Sequence, residues 1–272
     1  MKILDKEVLA ENVIKFTIHS PEIAAKARAG QFVVLMVKEE GERIPLTVVE
    51  ANTDKGSLVI IAQAAGFTTR LLAGLNKGDS LYSLVGPLGH PTEIKNYGKV
   101  ILVGGGVGIA EIYPVARALK AAGNQVIAII GARTKELLIL ERELKEASDT
   151  CLVMSDDGSI GRKGFVTEAL KELLEKSKYD LVYAVGPIPM MRAVSSATRP
   201  FGVRTLVSLN ALMVDGTGMC GCCRVSVGGK VKFSCVDGPE FDASQVDWQE
   251  LSSRNSVYAE KEKHICRLNN AG

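Results

Sequence analysis

The spacing of apolar residues along the chain changes near residue 96. Before it, Ile14, Phe16 and Ile18 alternate with polar neighbours, the period of a half-buried strand. Further strand-like runs cover 31–37, 46–50, 57–63 and 80–85, separated by turn-forming clusters at 41, 54–56 and 77–79. Short strands at this spacing predict a small antiparallel barrel over residues 1–95. A helix over 68–75, with Thr68 in the N-cap position, interrupts it. Gly86-Pro87-Leu88-Gly89 reads as the turn that closes it.

Beyond 96 the pattern alternates between buried strands and helical repeats. Strands are expected over 99–103, 125–130, 150–155 and 180–185. Helices are expected where Ile112, Val115, Ala116 and Leu119 recur, over 135–147 with Leu137, Leu140 and Leu144 inward, over 167–176, and briefly near Met190. Strands that alternate with helices build a doubly wound parallel sheet, with ligands at the carboxyl ends of the strands. This α/β unit spans 96–205. A small third unit, 206–272, carries the cysteines.

Those cysteines are the strongest chemical signal. Cys220, Cys223 and Cys235 stand on a C-x2-C-x11-C spacing, and Asp215 occupies the slot five residues earlier. A plant-type 2Fe–2S loop places a cysteine in that slot, so Asp215 is the expected fourth ligand. Gly216, Gly218 and Gly221 lie between the ligands, where a loop around a cluster needs close backbone approach. A zinc site can use the same thiolates, and buried cysteines can also cluster by chance. Cys222 competes with Asp215 or Cys223 for coordination.

The strand–glycine–helix passage at 104–108 presents backbone N–H groups to a pyrophosphate, although Glu111 fills the third glycine slot of G-x-G-x-x-G. The other strand-end loops hold Arg133, Asp156, Asp157, Gly186, Pro187 and Met190. Arg133 suits a phosphate, and Asp156 and Asp157 suit ribose hydroxyls, though each also reads as an ordinary surface or turn residue. In the barrel, 43–47 and the helix start at 66–69 are turn-like stretches with chemical potential.

Charge narrows the choice of partner. With 33 basic and 31 acidic residues the net charge is +2, which argues against nucleic acid. No run approaches the ~18 apolar residues of a spanning helix, and the acidic N-terminal run does not read as a signal peptide. Six cysteines, four of them between 220 and 235, fit a metal site in a reducing compartment; the cytoplasm is expected. There is no H-E-x-x-H and no P-loop.

Taken in order, R-x-P-L-T-like 43–47, GGGVGIAEIYP, AVGPIPMM and the cysteine loop followed by CVDGPEFD resemble the ferredoxin-reductase-type flavoproteins. The branch is the one that holds dihydroorotate dehydrogenase electron-transfer subunits and small subunits of NADH-dependent ferredoxin:NADP⁺ oxidoreductases. The resemblance implies FAD between barrel and nucleotide domain, NAD(H) on the sheet, and a 2Fe–2S cluster. It places Leu46 at the flavin ring, Thr47 near flavin N5, and Ile61, Ala62 and Gln63 at the ring or ribose, with Arg43 and Pro45 also counted as cofactor-binding. Thr68 and Thr69 would hold the pyrophosphate, and Gly106, Gly108, Gly186, Pro187 and Met190 the nicotinamide nucleotide. The family's usual arginine position holds Ile44, with Arg43 one place early; Glu111 replaces a proline and Val185 a cysteine. Aspartate in the first ligand slot is similar to the ferredoxin:NADP⁺ branch. That likeness implies a heterodimer with a larger flavin and iron–sulfur subunit that handles ferredoxin and NADP(H). The alternatives are a dihydroorotate dehydrogenase electron-transfer subunit, a stand-alone reductase, and a non-catalytic zinc or nucleotide module.

Overall fold

A computed structural model describes residues 1–258, 260, 261 and 264. The N-terminal part is two antiparallel sheets. Strands β1 (Ile3–Ala10), β2 (Val13–His19), β6 (Ser57–Gln63) and β5 (Glu50–Asn52) form the first, in that order. The second places β3 (Phe32–Met36) between β4 (Arg43–Thr47) and β7 (Ser83–Leu88). Helices α1 (Pro21–Ala24) and α2 (Phe67–Gly74) complete this part. Phe16, Ile18, Val33, Leu35, Leu58, Ile60 and Leu72 fill the space between the sheets. The alternation read at Ile14, Phe16 and Ile18 is therefore the inward face of β2.

Several local expectations are corrected. The run 46–50 is not one strand: the chain leaves β4 after Thr47 and joins the other sheet at Glu50. Val48 and Val49 make the crossing, both buried, with Val48 N–H donating to Gln31 O at 3.0 Å and Val49 N–H to Val59 O at 2.9 Å. Gly86 to Leu88 lie inside β7 rather than in a turn. β7 is an edge strand whose register to β3 shifts between Phe32 and Val34, and an edge with a bulge tolerates Pro87. The N-cap of α2 is Gly66, not Thr68. β1 escaped the sequence reading because an exposed edge strand carries charges such as Asp5, Lys6 and Glu7.

The second part is a seven-stranded sheet. β8 (Lys99–Gly105), β9 (Gln125–Ala132), β10 (Thr150–Ser155), β11 (Arg162–Lys163), β12 (Leu181–Val185) and β13 (Thr205–Ser208) are parallel. The order is β11-β10-β9-β8-β12-β13, and β16 (Glu240–Asp242) adds an antiparallel edge. Alternate residues of β8 enter two cores. Val100 and Leu102 meet α3 (Ile109–Ala121) and α4 (Glu141–Ala147); Ile101 and Val103 meet α5 (Val166–Lys176) and α6 (Ile188–Thr198). The sheet is thus covered on both faces, as the near-continuous apolar strands require.

The helix expected over 135–147 is broken. A 3₁₀ turn covers Lys135–Leu137, and Leu140, at φ 54°, precedes α4. Four successive apolar residues, 137–140, cannot all sit on one helical stripe; the non-helical path buries Ile139. The hairpin β14 (Arg224–Val227) and β15 (Lys230–Phe233) follows the cysteine loop, and α7 (Trp248–Asn255) packs Leu251 into the same core as α6. Residues 205–208 form the last parallel strand of this sheet and 240–242 its antiparallel edge, so the third segment is knitted into the second. Of the C-terminal stretch 236–267, Trp248 packs against the core while Tyr258 is exposed; most positions beyond 258 lie outside the described residues.

Candidate functional site

The strand order reverses direction between β8 and β12, and a crevice opens there at the carboxyl ends. One cavity, about 480 Å³, lies between barrel and sheet. The barrel contributes Phe32, Pro45, Leu46, Thr47, Ile61 and Gln63. The α/β unit contributes Glu111 of α3, Ser208 at the end of β13, and the loops after β8, β12 and β13, including Gly186 and Met213. A second cavity, about 610 Å³, is lined by Arg133, Met154, Asp156, Phe165 and Met190. Gln63, Gly105, Gly106, Val107 and Pro187 line both, so the two share a wall.

The glycines explain how this wall is built. Gly106 has φ +57° and nothing within 4 Å of where a Cβ would stand, so its backbone faces open space. At Gly108 a Cβ would lie 2.6 Å from the Val185 carbonyl oxygen, which is how closely α3 approaches β12. An apolar slot with a few polar groups suits a flat heteroaromatic ring, and the open glycine wall suits a dinucleotide. The residues present therefore fit FAD in the first cavity and a nicotinamide nucleotide in the second.

Not every expected residue faces these cavities. Pro45, Leu46, Thr47, Ile61, Gln63, Gly106, Gly108, Gly186 and Pro187 line the first, and Arg133 and Met190 the second. Ala62 points into the barrel core. Thr68 donates to Glu42 Oε2 at 2.6 Å, and Thr69 Oγ1 accepts from Gly66 N–H at 3.0 Å. Arg43 is exposed and its Nε contacts Met36 Sδ at 3.4 Å. Asp157 accepts from Ser159 N–H at 2.9 Å, while its neighbour Asp156 lines the second cavity.

The cysteine loop lies immediately beyond Met213. Gly216, Gly218 and Gly221 all have positive φ, as the expected wrapping requires. Cys223 and Cys235 are buried with their sulfurs 3.1 Å apart. Asp215 accepts from Thr217 N–H and Cys220 N–H, each at 2.8 Å. The Thr217 bond first, then the Cys220 bond, holds its carboxyl below the usual range. Burial pushes the Cys235 thiol up to about 12, and a cationic metal centre supplies the charge that lets such thiols ionise. The donor chemistry thus fits an iron–sulfur cluster. Among the described residues no three His, Cys, Asp or Glu side chains are gathered at metal-binding separation: the cysteine pair is assembled, while Asp215 and Cys220 are linked to each other through the backbone.

The site also contains groups the sequence reading did not assign. Glu111 stands out in the sequence only as a departure, from the glycine motif and from the family's proline. It is half-buried, with its remaining surface toward the first cavity. Its Oε2 accepts from the Thr47 hydroxyl at 3.2 Å and its Oε1 from the Ser208 hydroxyl. Burial pushes its carboxyl up to about 7, against the downward pull of these two hydroxyls. Ser208 and Tyr183 carry no motif, and Glu240 stands in CVDGPEFD without an assigned role.

Comparison with known proteins agrees with this geometry. Residues 102–196 match the oxidoreductase NAD-binding domain, and 210–247 match the iron–sulfur cluster binding domain of dihydroorotate dehydrogenase B. A dihydroorotate dehydrogenase B (NAD(+)) electron transfer subunit homolog of Thermotoga maritima is 52% identical over 96% of this chain and 93% of its own length. The electron transfer subunit of Geobacillus thermodenitrificans is 32% identical, over 90% and 97%. A chain in the structure of the NADH-dependent reduced ferredoxin-NADP oxidoreductase, studied for flavin-based electron bifurcation, superposes with TM-score 0.92 at 52% identity, covering 96% of this chain and 95% of that one. Phthalate dioxygenase reductase shares the fold, with TM-score 0.61 at 20% identity. With a ferredoxin reductase-like fold, an NAD-binding domain and an iron–sulfur domain in one chain, the protein belongs to the family of dihydroorotate dehydrogenase B electron transfer subunits and their homologs.

Proposed function

We propose that this chain is the NAD-side electron-transfer subunit, the small subunit, of a flavin-based electron-bifurcating ferredoxin:NADP⁺ oxidoreductase. The observation that carries the proposal is contiguity. The nucleotide cavity shares a wall with the barrel–sheet cavity, and that cavity is lined by Met213, two residues before Asp215. The nicotinamide and flavin sites therefore adjoin, and the cysteine loop begins two residues along the chain from the flavin cavity's wall. The likeness to a subunit of the ferredoxin-NADP oxidoreductase supports the specific reaction.

In this reading residues 1–95 hold FAD, 96–205 hold NAD(H), and 206–272 hold the cluster through Asp215, Cys220, Cys223 and Cys235. Bound FAD supplies the conversion between two-electron hydride chemistry and single-electron release. Pro45, Leu46 and Ile61 give the ring an apolar face, and Thr47 and Gln63 present polar groups at its edge. Thr68 and Thr69 reach a pyrophosphate by giving up their present bonds to Glu42 and Gly66. Arg133 and Asp156 line the second cavity, where they would meet a phosphate and a ribose hydroxyl, and Asp157 would reach it only by giving up its bond to Ser159. A larger subunit receives the electrons and deals with ferredoxin and NADP(H).

The test is anaerobic purification from the native host, followed by NADH titration and EPR. Flavin bleaching by NADH, a 2Fe–2S signal, and co-purification with a larger flavin and iron–sulfur subunit are expected. A colourless, zinc-containing protein refutes the proposal. The match to the dihydroorotate dehydrogenase B cluster domain favours a second reading, an electron-transfer subunit for that enzyme. It predicts co-purification with a dihydroorotate-oxidising subunit instead. The aspartate at 215 in place of a fourth cysteine weighs against it.

A further inference from the structure

Glu111 is the end of a row of hydrogen-bonding groups that runs from the cavity wall toward the surface. Its carboxyl meets Thr47 of β4 and Ser208 of β13. Tyr183, fully buried, stands on β12, the strand beside β13, and Ser208 and Tyr183 meet at Glu240, as cross-strand partner and hydrogen-bond donor respectively. Tyr183 donates to Glu240 Oε1 at 3.0 Å, and Thr92 donates to the same oxygen. Glu240 of β16 is only half-buried, and it is the cross-strand partner of Ser208. Arg204 acts on it electrostatically and pairs with exposed Glu93 at 3.7 Å, which marks the surface end.

We propose that Glu111, Ser208, Tyr183 and Glu240 form a proton path between the barrel–sheet cavity and the surface. The inference rests on the flavin and nicotinamide reading given above. Its logic is charge balance. Oxidation of NADH to NAD⁺ releases a hydride, that is, two electrons and one proton. An iron–sulfur cluster takes electrons singly and takes no proton. Each NADH oxidised thus leaves one proton in the cavity. The Glu111 carboxylate binds it, forming an O–H bond. Ser208 and Tyr183 each accept a proton on one side and release one on the other, and Glu240 passes it to water. No atom of the row is consumed.

The chemistry of each group suits the task. Glu111 exchanges its proton near neutral pH, where a relay group works best. The charged group acting on it is Glu240; Thr47, Ser208 and Tyr183 are the hydroxyls that surround it. Burial, then Glu240 and Glu111, keeps Tyr183 protonated, so it serves as a hydroxyl and not as a phenolate. A mere strut between barrel and sheet needs only the hydrogen bonds, which glutamine also makes.

The experiment compares wild type, Glu111→Gln and Tyr183→Phe in the intact complex. Flavin bleaching by NADH and proton release to an indicator dye are followed in the same stopped-flow trace. Infrared titration of the flavin-free chain follows the Glu111 carboxyl directly. Expected are a carboxyl band titrating near pH 7 that Glu111→Gln removes, and proton release that lags flavin bleaching about tenfold or more behind its wild-type timing in both variants, whatever the bleaching rate itself. Flavin content equal to wild type verifies that each variant folds. Wild-type proton release in either variant overturns the path alone. Failure of NADH to bleach the wild-type flavin overturns the proposed function and the path with it.

Discussion

Gly108→Ala is the sharpest test of how the site is held. The Cβ would meet Val185 O at 2.6 Å, Val185 C at 2.8 Å and Gly186 N at 2.9 Å. All three are backbone atoms, so no side chain can swing aside. Ordinary contact begins at 3.4 Å, so α3 and β12 must part by roughly 0.8 Å in a close-packed interior. Overpacking of this kind costs about 1–3 kcal/mol. The backbone at Gly108 is ordinary, φ −61°, so the penalty is contact and not strain. Two controls separate the causes. Gly106→Ala has open space but φ +57°, so strain alone costs about 1–2 kcal/mol. Gly74→Ala, with nothing within 4 Å and no positive φ, gains up to about 1 kcal/mol. Urea unfolding of the three variants reads the ranking, and flavin content reads the site. Gly108→Ala should be destabilised and lose flavin, because the same displacement moves Glu111. If it proves as benign as Gly74→Ala, the close approach of α3 to β12 is not what shapes the cavity.

Other outcomes follow from single contacts. Glu111 has its folded-state value raised from 4.5 to about 7, so it favours the folded state fully below pH 4.5 and that contribution is lost as pH rises to about 7. The loss is on the order of 3 kcal/mol, and Glu111→Gln should flatten the stability–pH curve in that window. Gly30→Ala, at φ +84° with its Cβ only 2.2 Å from Thr92 Oγ1, should destabilise by about 2 kcal/mol or more and disturb the Thr92–Glu240 bond, read by thermal unfolding. Asp215→Cys should keep the iron but move the EPR g-values, whereas a spectrum unchanged in both Asp215→Cys and Asp215→Ala would remove Asp215 from the ligand set. Leu102→Ala, fully buried in the central strand, should cost about 2–5 kcal/mol in urea.

Much of the architecture was legible because it follows from local periodicity. A period of two marked β2, continuous apolar runs marked β6, β8, β9 and β12, and the 3.6 repeat marked α3. The sequence spacing alone singled out Asp215, Cys220, Cys223 and Cys235 as candidate ligands, because a loop that wraps a cluster must supply its ligands from nearby positions; of these the fold brings the sulfurs of Cys223 and Cys235 together. Gly106 and Gly108 were legible for the same reason, since strand, glycine and helix are contiguous. What tertiary structure decided is different in kind. Val48 and Val49 change sheets because each finds its backbone partner in a different one, and no local period records that. Leu140 leaves the helix because four apolar neighbours compete for one stripe. The helix-start threonines, Thr68 and Thr69, spend their hydroxyls on Glu42 and Gly66, partners that only folding supplies. Above all, Glu111 read as a flaw in a glycine motif. It became a site group only when the barrel brought Thr47 to one oxygen and β13 brought Ser208 to the other, across separations of 64 and 97 residues. Burial between distant segments sets the chemistry of a carboxyl, and that burial is a property of the packed chain.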